Sequence, residues 1–242
     1  PEPLPAPAAL ALAKQHAIPT FNARGWKRDA SWRDALRQIL ARIRPSVRAP
    51  VVDLIARLET VDSVWLEDQA NRILEGNPDE LDRGMAVFIA AALQTYWVAL
   101  VTRLDTSGFT RLDVPNICPC CGSRPVASVV RIGGAEANHR YLACSLCAAE
   151  WHLVRIKCAN CDSTKGIRYY NIEGGTKAIQ AEACTECDTY LKICYMTRDP
   201  QVEATADDLA SLALDVLMAE TTTLSRSGVN LLLFQGDGGG AG

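Results

Sequence analysis

Eight of the ten cysteines fall into four Cys-x-x-Cys pairs, and the pairs recur at a constant offset of forty residues. Cys118 and Cys121 map onto Cys158 and Cys161, and Cys144 and Cys147 map onto Cys184 and Cys187. In each copy 22 residues separate the first pair from the second. Two residues between cysteines let both sulfurs point inward from one tight turn, and a tetrahedral metal needs two such turns facing each other across a hairpin. The spacing therefore predicts two consecutive metal ribbons, each closed by four thiolates.

The repeat also selects the ligands. Shifted by forty residues, Cys120 falls on Asn160 whereas Cys121 falls on Cys161, so Cys121 is the expected ligand and Cys120 a bystander. Cys194 corresponds to Val154 and reads as a small apolar strand residue. Ser123 with Ser163, Ile132 with Ile172, Gly134 with Gly174 and Ala143 with Ala183 are further identities at that offset, the mark of a duplicated hairpin unit rather than of duplicated ligands alone. His16, His139 and His152 have no ligand-like spacing, and both quartets are complete without them.

Three other uses of these cysteines fit less well. A disulfide framework needs an oxidising compartment, and Pro1 to Ile18 lacks the basic start and unbroken apolar core of a secretory signal. A thioredoxin-type redox pair needs one motif at a strand-to-helix junction, not four among short strand-like runs. Cross-braced pairing, first with third and second with fourth, gives no reason for two self-similar blocks.

Forty-eight per cent hydrophobic and 22% charged residues are ordinary for a soluble globular protein, and 242 residues suffice for one or two domains. Residues 118 to 198 carry 10 basic and 7 acidic side chains, and residues 199 to 242 carry 1 and 7. Eight thiolates around two divalent ions bring the middle block from +3 to about −1, so the basic excess on which nucleic-acid binding usually relies is largely removed.

The elements that position the cysteines follow from periodicity. Ala6 to Ala17, Ser31 to Arg44, Val51 to Leu58 and Val64 to Leu74 read as helices, with Pro45 ending the second and Gly76-Asn77-Pro78 breaking the chain after the fourth. The longest helix is expected from about Asp79 to Asp105. Its uncharged stretch from Met85 to Val101 contains Gln94, Thr95 and Tyr96 and is shorter than the roughly 20 apolar residues of a membrane span, so it reads as the buried centre of a bundle. Arg33, Arg37, Arg44 and Arg48 read as a solvated face near Asp29 and Asp34, with a surface for an acidic partner segment as the alternative. Val126 to Ile132, His139 to Ala143, Trp151 to Lys157, Ile167 to Ile172 and Tyr190 to Met196 have strand composition, each ribbon forming its own small antiparallel sheet. Thr205 to Asp208 resembles a capping box opening a helix to about Glu220, and the terminal Gly-rich run from 236 reads as disordered. The expected architecture is α+β: a helical bundle (1–113), a first metal ribbon (114–156), a second (157–198), and a C-terminal helix with a flexible tail (199–242).

CPCCGSRP at 118 to 125, YLACSLCAAEWHLVRIKCANC at 141 to 161, ACTECDTYLK at 183 to 192 and the acidic helix DDLASLALDVLMAE at 207 to 220 resemble the FdhE family of formate dehydrogenase accessory proteins. The resemblance rests on the C-terminal half; the N-terminal half agrees in helical type. It implies rubredoxin-like sites at Cys118, Cys121, Cys144, Cys147, Cys158, Cys161, Cys184 and Cys187, holding two metal ions with iron favoured over zinc. It also implies a cytoplasmic, non-enzymatic assembly factor whose partner is the immature catalytic subunit of a respiratory formate dehydrogenase. A zinc-ribbon nucleic-acid-binding or transcription-associated protein is one alternative, opposed by the acidic balance. A small iron electron-transfer protein is the second, because a site closed by four cysteines leaves no open position for hydrolysis.

Overall fold

The computed structural model describes residues 4–104, 112–133, 135 and 137–234. The chain divides into two compact units, one built on Phe21–Thr106, the other on Pro7–Thr20 with Ser107–Asn230.

In the first unit α2 (Ser31–Ile43), α3 (Val51–Leu58) and α4 (Ser63–Glu75) all pack on α5 (Arg83–Val101). α5 is apolar nearly all round, so it can be stable in water only at the centre of such a group. Met85, Ile89, Leu93, Trp97 and Leu100 are accordingly buried. Among the described residues it is the one helix long and apolar enough to cross a bilayer, and its burial accounts for that composition. Asp82 caps it, accepting the Met85 N–H at 3.1 Å, and Asp62 caps α4 through the Trp65 N–H at 2.8 Å. The helix therefore starts at Arg83, because Asp79 to Leu81 form the turn that delivers the cap. Phe21 stands edge-on to Trp26 and Trp97, with ring centroids 4.8 and 5.6 Å apart. Two arginines of α2 are paired, Arg33 with Glu67 and Arg37 with Asp34, and Arg44 just after it pairs with Glu59 at 2.6 Å.

In the second unit each copy of the repeat is a three-stranded antiparallel meander: β1 (Pro125–Val130), β2 (Arg140–Cys144) and β3 (Glu150–Leu153), then β4 (Ile167–Tyr170), β5 (Ile179–Cys184) and β6 (Thr189–Tyr195). The ribbons do not form separate sheets. β1 pairs in parallel with β6, Ser128 opposite Ile193, giving one sheet in the order β3-β2-β1-β6-β5-β4; β7 (Ser225–Arg226) pairs with the first residues of β6. Fusion removes two of four open edges, and each isolated meander would be too small to bury both its faces.

One sheet face is covered by α6 (Ala204–Ala210) and α7 (Leu212–Thr221), which bring Ala204, Leu214 and Met218 against Ala127, Ala143, Ala181 and Ala183. The expected capping box is displaced. Glu203 is the cap residue, its carboxylate accepting the Ala206 N–H at 2.6 Å, while the Asp207 carboxylate accepts the Glu203 N–H at 2.7 Å. Asp208 is instead wholly buried, pairing with Lys192 of β6 at 3.3 Å and Arg226 of β7 at 2.5 Å. A buried carboxylate needs cations more than the helix needs a second cap. Ser211 then interrupts the helix, its hydroxyl donating to the Asp207 carbonyl at 2.6 Å. The other sheet face carries Leu142, Leu153 and Leu191 together with a buried ion pair, Arg140 of β2 with Glu182 of β5 at 2.6 Å. The terminal Gly-rich run lies outside the described residues.

Candidate metal centres

Each quartet joins the turn just before the first strand of its meander to the turn between the second and third strands. All four turns share a backbone solution. The residue after the second cysteine is left-handed in every case: Gly122 at φ 77°, Ala148 at 56°, Asp162 at 65° and Asp188 at 51°. That reversal closes the loop so that amide N–H groups point at a sulfur. The Leu146 and Cys147 amides donate to Cys144 Sγ, both at 3.4 Å; those of Asn160 and Cys161 donate to Cys158 Sγ at 3.3 and 3.4 Å. The repeated position closes each first turn through its backbone: the Cys118 N–H donates to the Ser123 carbonyl and the Cys158 N–H to the Ser163 carbonyl, both at 2.8 Å.

The sulfurs of Cys118, Cys121, Cys144 and Cys147 form one group and those of Cys158, Cys161, Cys184 and Cys187 another, each within 4.8 Å throughout. The short edges are Cys118–Cys147 at 3.6 Å and Cys121–Cys144 at 3.4 Å, matched by Cys158–Cys187 and Cys161–Cys184 at 3.7 Å. A tetrahedron with metal–sulfur bonds of about 2.3 Å has edges of about 3.8 Å. Either group could thus take one ion with little movement, two ions in all. Both groups combine pairs adjacent along the chain, not cross-braced ones.

Crowding the four sulfurs together separates their acidities. Burial pushes the Cys118 thiol well above the usual range. Burial also opposes ionisation of Cys121, yet hydrogen bonds from the Cys118, Cys144 and Cys147 thiols hold it well below that range. Four buried sulfurs ionise together only around a cation. In the second group burial of Cys187 is outweighed by hydrogen bonds from Thr189 and Asn160, which bring its thiol to about 7. The Thr189 hydroxyl lies 3.2 Å from that sulfur and the Asn160 side-chain amide 3.7 Å. The sequence pattern did not single out either residue.

Cys120 is buried beside the first group, and hydrogen bonds from the Cys118 and Cys147 thiols lower its own to about 5. It is nevertheless outside the quartet. Cys194 is a fully buried residue of β6, its thiol pushed up to about 12 by burial and by the carboxylates of Asp207 and Asp208. His152 of β3 and His139, the residue before β2, have ring centroids 5.5 Å apart, and neither belongs to a quartet.

Three FdhE family models tile the chain: the N-terminal over residues 1–112, the central domain over 117–155 and the C-terminal domain over 156–233. The chain is 42% identical over 215 residues to the FdhE homologue of Pasteurella multocida, an alignment covering 88% of this chain and 69% of that one. It is 40% identical over 212 residues to protein FdhE of Escherichia coli K12, covering 87% and 68%. The crystal structure of the FdhE protein from Pseudomonas aeruginosa superposes with a TM-score of 0.84 at 35% identity, over 98% of this chain and 83% of that one. With its helical unit, its duplicated meander and both cysteine quartets inside that match, the chain belongs to the FdhE family.

Proposed function

We propose that this protein is an assembly factor for respiratory formate dehydrogenase, binding the immature catalytic subunit in the cytoplasm and supporting its maturation without catalysing a reaction itself. The observation that carries this reading is family membership along nearly the whole chain. The closed sulfur groups support it, since a metal ringed by four thiolates has no position for a substrate. Cys118, Cys121, Cys144 and Cys147 hold one ion, and Cys158, Cys161, Cys184 and Cys187 the other. Iron is the native metal, with zinc as the substitute when the protein is overproduced; tetrahedral thiolate sites accept both.

Affinity purification of the tagged protein from cells respiring formate tests the partner. The catalytic subunit is expected in the bound fraction in cofactor-poor form, and deletion of the gene is expected to lower formate dehydrogenase activity without lowering its transcript. Absence of the subunit, with normal activity in the deletion strain, would refute the assembly role.

A further inference from the structure

The two quartets share a backbone design but not an environment. Cys118, Cys121, Cys144 and Cys147 are all buried, and so are Ser145 and Leu146 within their second turn. The segment after α1 (Pro7–Gln15) closes over this centre: the Thr20 N–H donates to the Pro119 carbonyl at 3.0 Å, and Pro19 lies 3.4 Å from where a Cβ on Gly122 would stand. In the second quartet Cys161 is exposed and Cys187 half-buried, and the residues matching Ser145 and Leu146, namely Thr185 and Glu186, are both exposed. Duplication would have produced two equal sites, so the difference lies in what the rest of the unit packs on each.

We infer that the second centre is an exchange site for a thiophilic divalent ion, entered through the exposed sulfur of Cys161, whereas the first holds its ion as a permanent part of the fold. The inference rests on the reading that both quartets bind metal. An incoming thiolate or chelating nitrogen reaches the ion from the Cys161 side and donates an electron pair to it. The metal–Cys161 bond breaks as the new bond forms, the departing thiolate takes a proton from water, and the ion keeps its oxidation state. The first ion offers no such approach, and its release requires local unfolding of the covering segment. The second turn can open at smaller cost. β5 and β6 stay joined by a six-residue ladder, and the Arg140–Glu182 and Lys192–Asp208 pairs hold them from both faces of the sheet.

The test uses the full chain loaded with zinc, its metal content measured first, then challenged with 4-(2-pyridylazo)resorcinol at neutral pH. One equivalent is expected to leave at least about tenfold faster than the other, with the circular dichroism spectrum unchanged across the fast phase. Alkylation by iodoacetamide at the end of that phase should label Cys158, Cys161, Cys184 and Cys187 and leave Cys118, Cys121, Cys144 and Cys147 unlabelled. Release of both equivalents in one phase, or a fast phase that labels the first quartet, would overturn the inference. A starting content below two zinc ions per chain would instead overturn the reading of both quartets as metal sites. Because the unsubstituted protein is used throughout, a misfolded variant cannot imitate either result.

Discussion

Cys120 and Cys121 are adjacent, both buried, and chemically identical, yet the backbone separates their roles. Gly122 takes the left-handed turn that sets Cys121 opposite Cys144, and Cys120 is left on the intervening stretch of that turn. Cys120→Ser is expected to keep two metal ions per chain and Cys121→Ser to keep one, as measured by elemental analysis of purified protein. Equal losses would make Cys120 a ligand. Gly166 is a second residue decided by backbone geometry: it sits at φ 67°, and a Cβ there would lie 2.4 Å from the Thr185 hydroxyl. Gly166→Ala is expected to destabilise the protein by about 1 kcal/mol or more, read from urea unfolding, because left-handed strain adds to the clash. The same change at Gly76, also left-handed but with no neighbour within 4 Å, is expected to cost less.

At the scale of elements, what joins the C-terminal helices to the sheet is a buried charge cluster as well as apolar packing. Lys192 donates to the carbonyl of Asp208 at 2.8 Å and pairs with Asp215 at 2.5 Å, while Arg226 reaches both carboxylates. Lys192→Met removes one cation and leaves Asp208 and Asp215 to share Arg226. The expected loss is about 3–5 kcal/mol in urea unfolding, the range for stripping one partner from a buried pair. An unchanged midpoint would mean that Arg226 and the apolar packing of Leu214 and Met218 hold the helices without Lys192. The N-terminal caps are a milder case: Asp82→Ala is expected to cost about 1 kcal/mol through loss of the bond to the Met85 N–H.

Across the whole molecule the two units differ in what their stability depends on. The helical unit has an apolar centre in α5, and among its described residues no candidate metal group lies, whereas the sheet unit ends each meander in a sulfur group whose members repel or leave thiols buried without a cation. Exhaustive chelation with warming is therefore expected to abolish near-ultraviolet signals from Trp151 and the sheet tyrosines while leaving most of the helical far-ultraviolet signal. Simultaneous loss of both would show that the helical unit cannot stand without the metals.

Much of this was legible in the sequence because the chain repeats itself. The offset of forty residues selected eight cysteines and paired them in sequential quartets, and a local spacing rule is enough for that because each turn is made by residues adjacent in the chain. The bundle helices were legible for a related reason, since helical periodicity is a local property. β5 escaped composition, its Gln-Ala-Glu-Ala run having little of the β-branched character of a strand, although the repeat places it on β2. What periodicity could not carry was the parallel pairing of β1 with β6, the capture of Asp208 by Lys192 and Arg226, and the covering of one cysteine quartet but not the other. Each depends on residues far apart in the chain meeting in space. Two copies of one motif therefore read alike in sequence, and only the tertiary structure, by packing different neighbours on each, made them unequal.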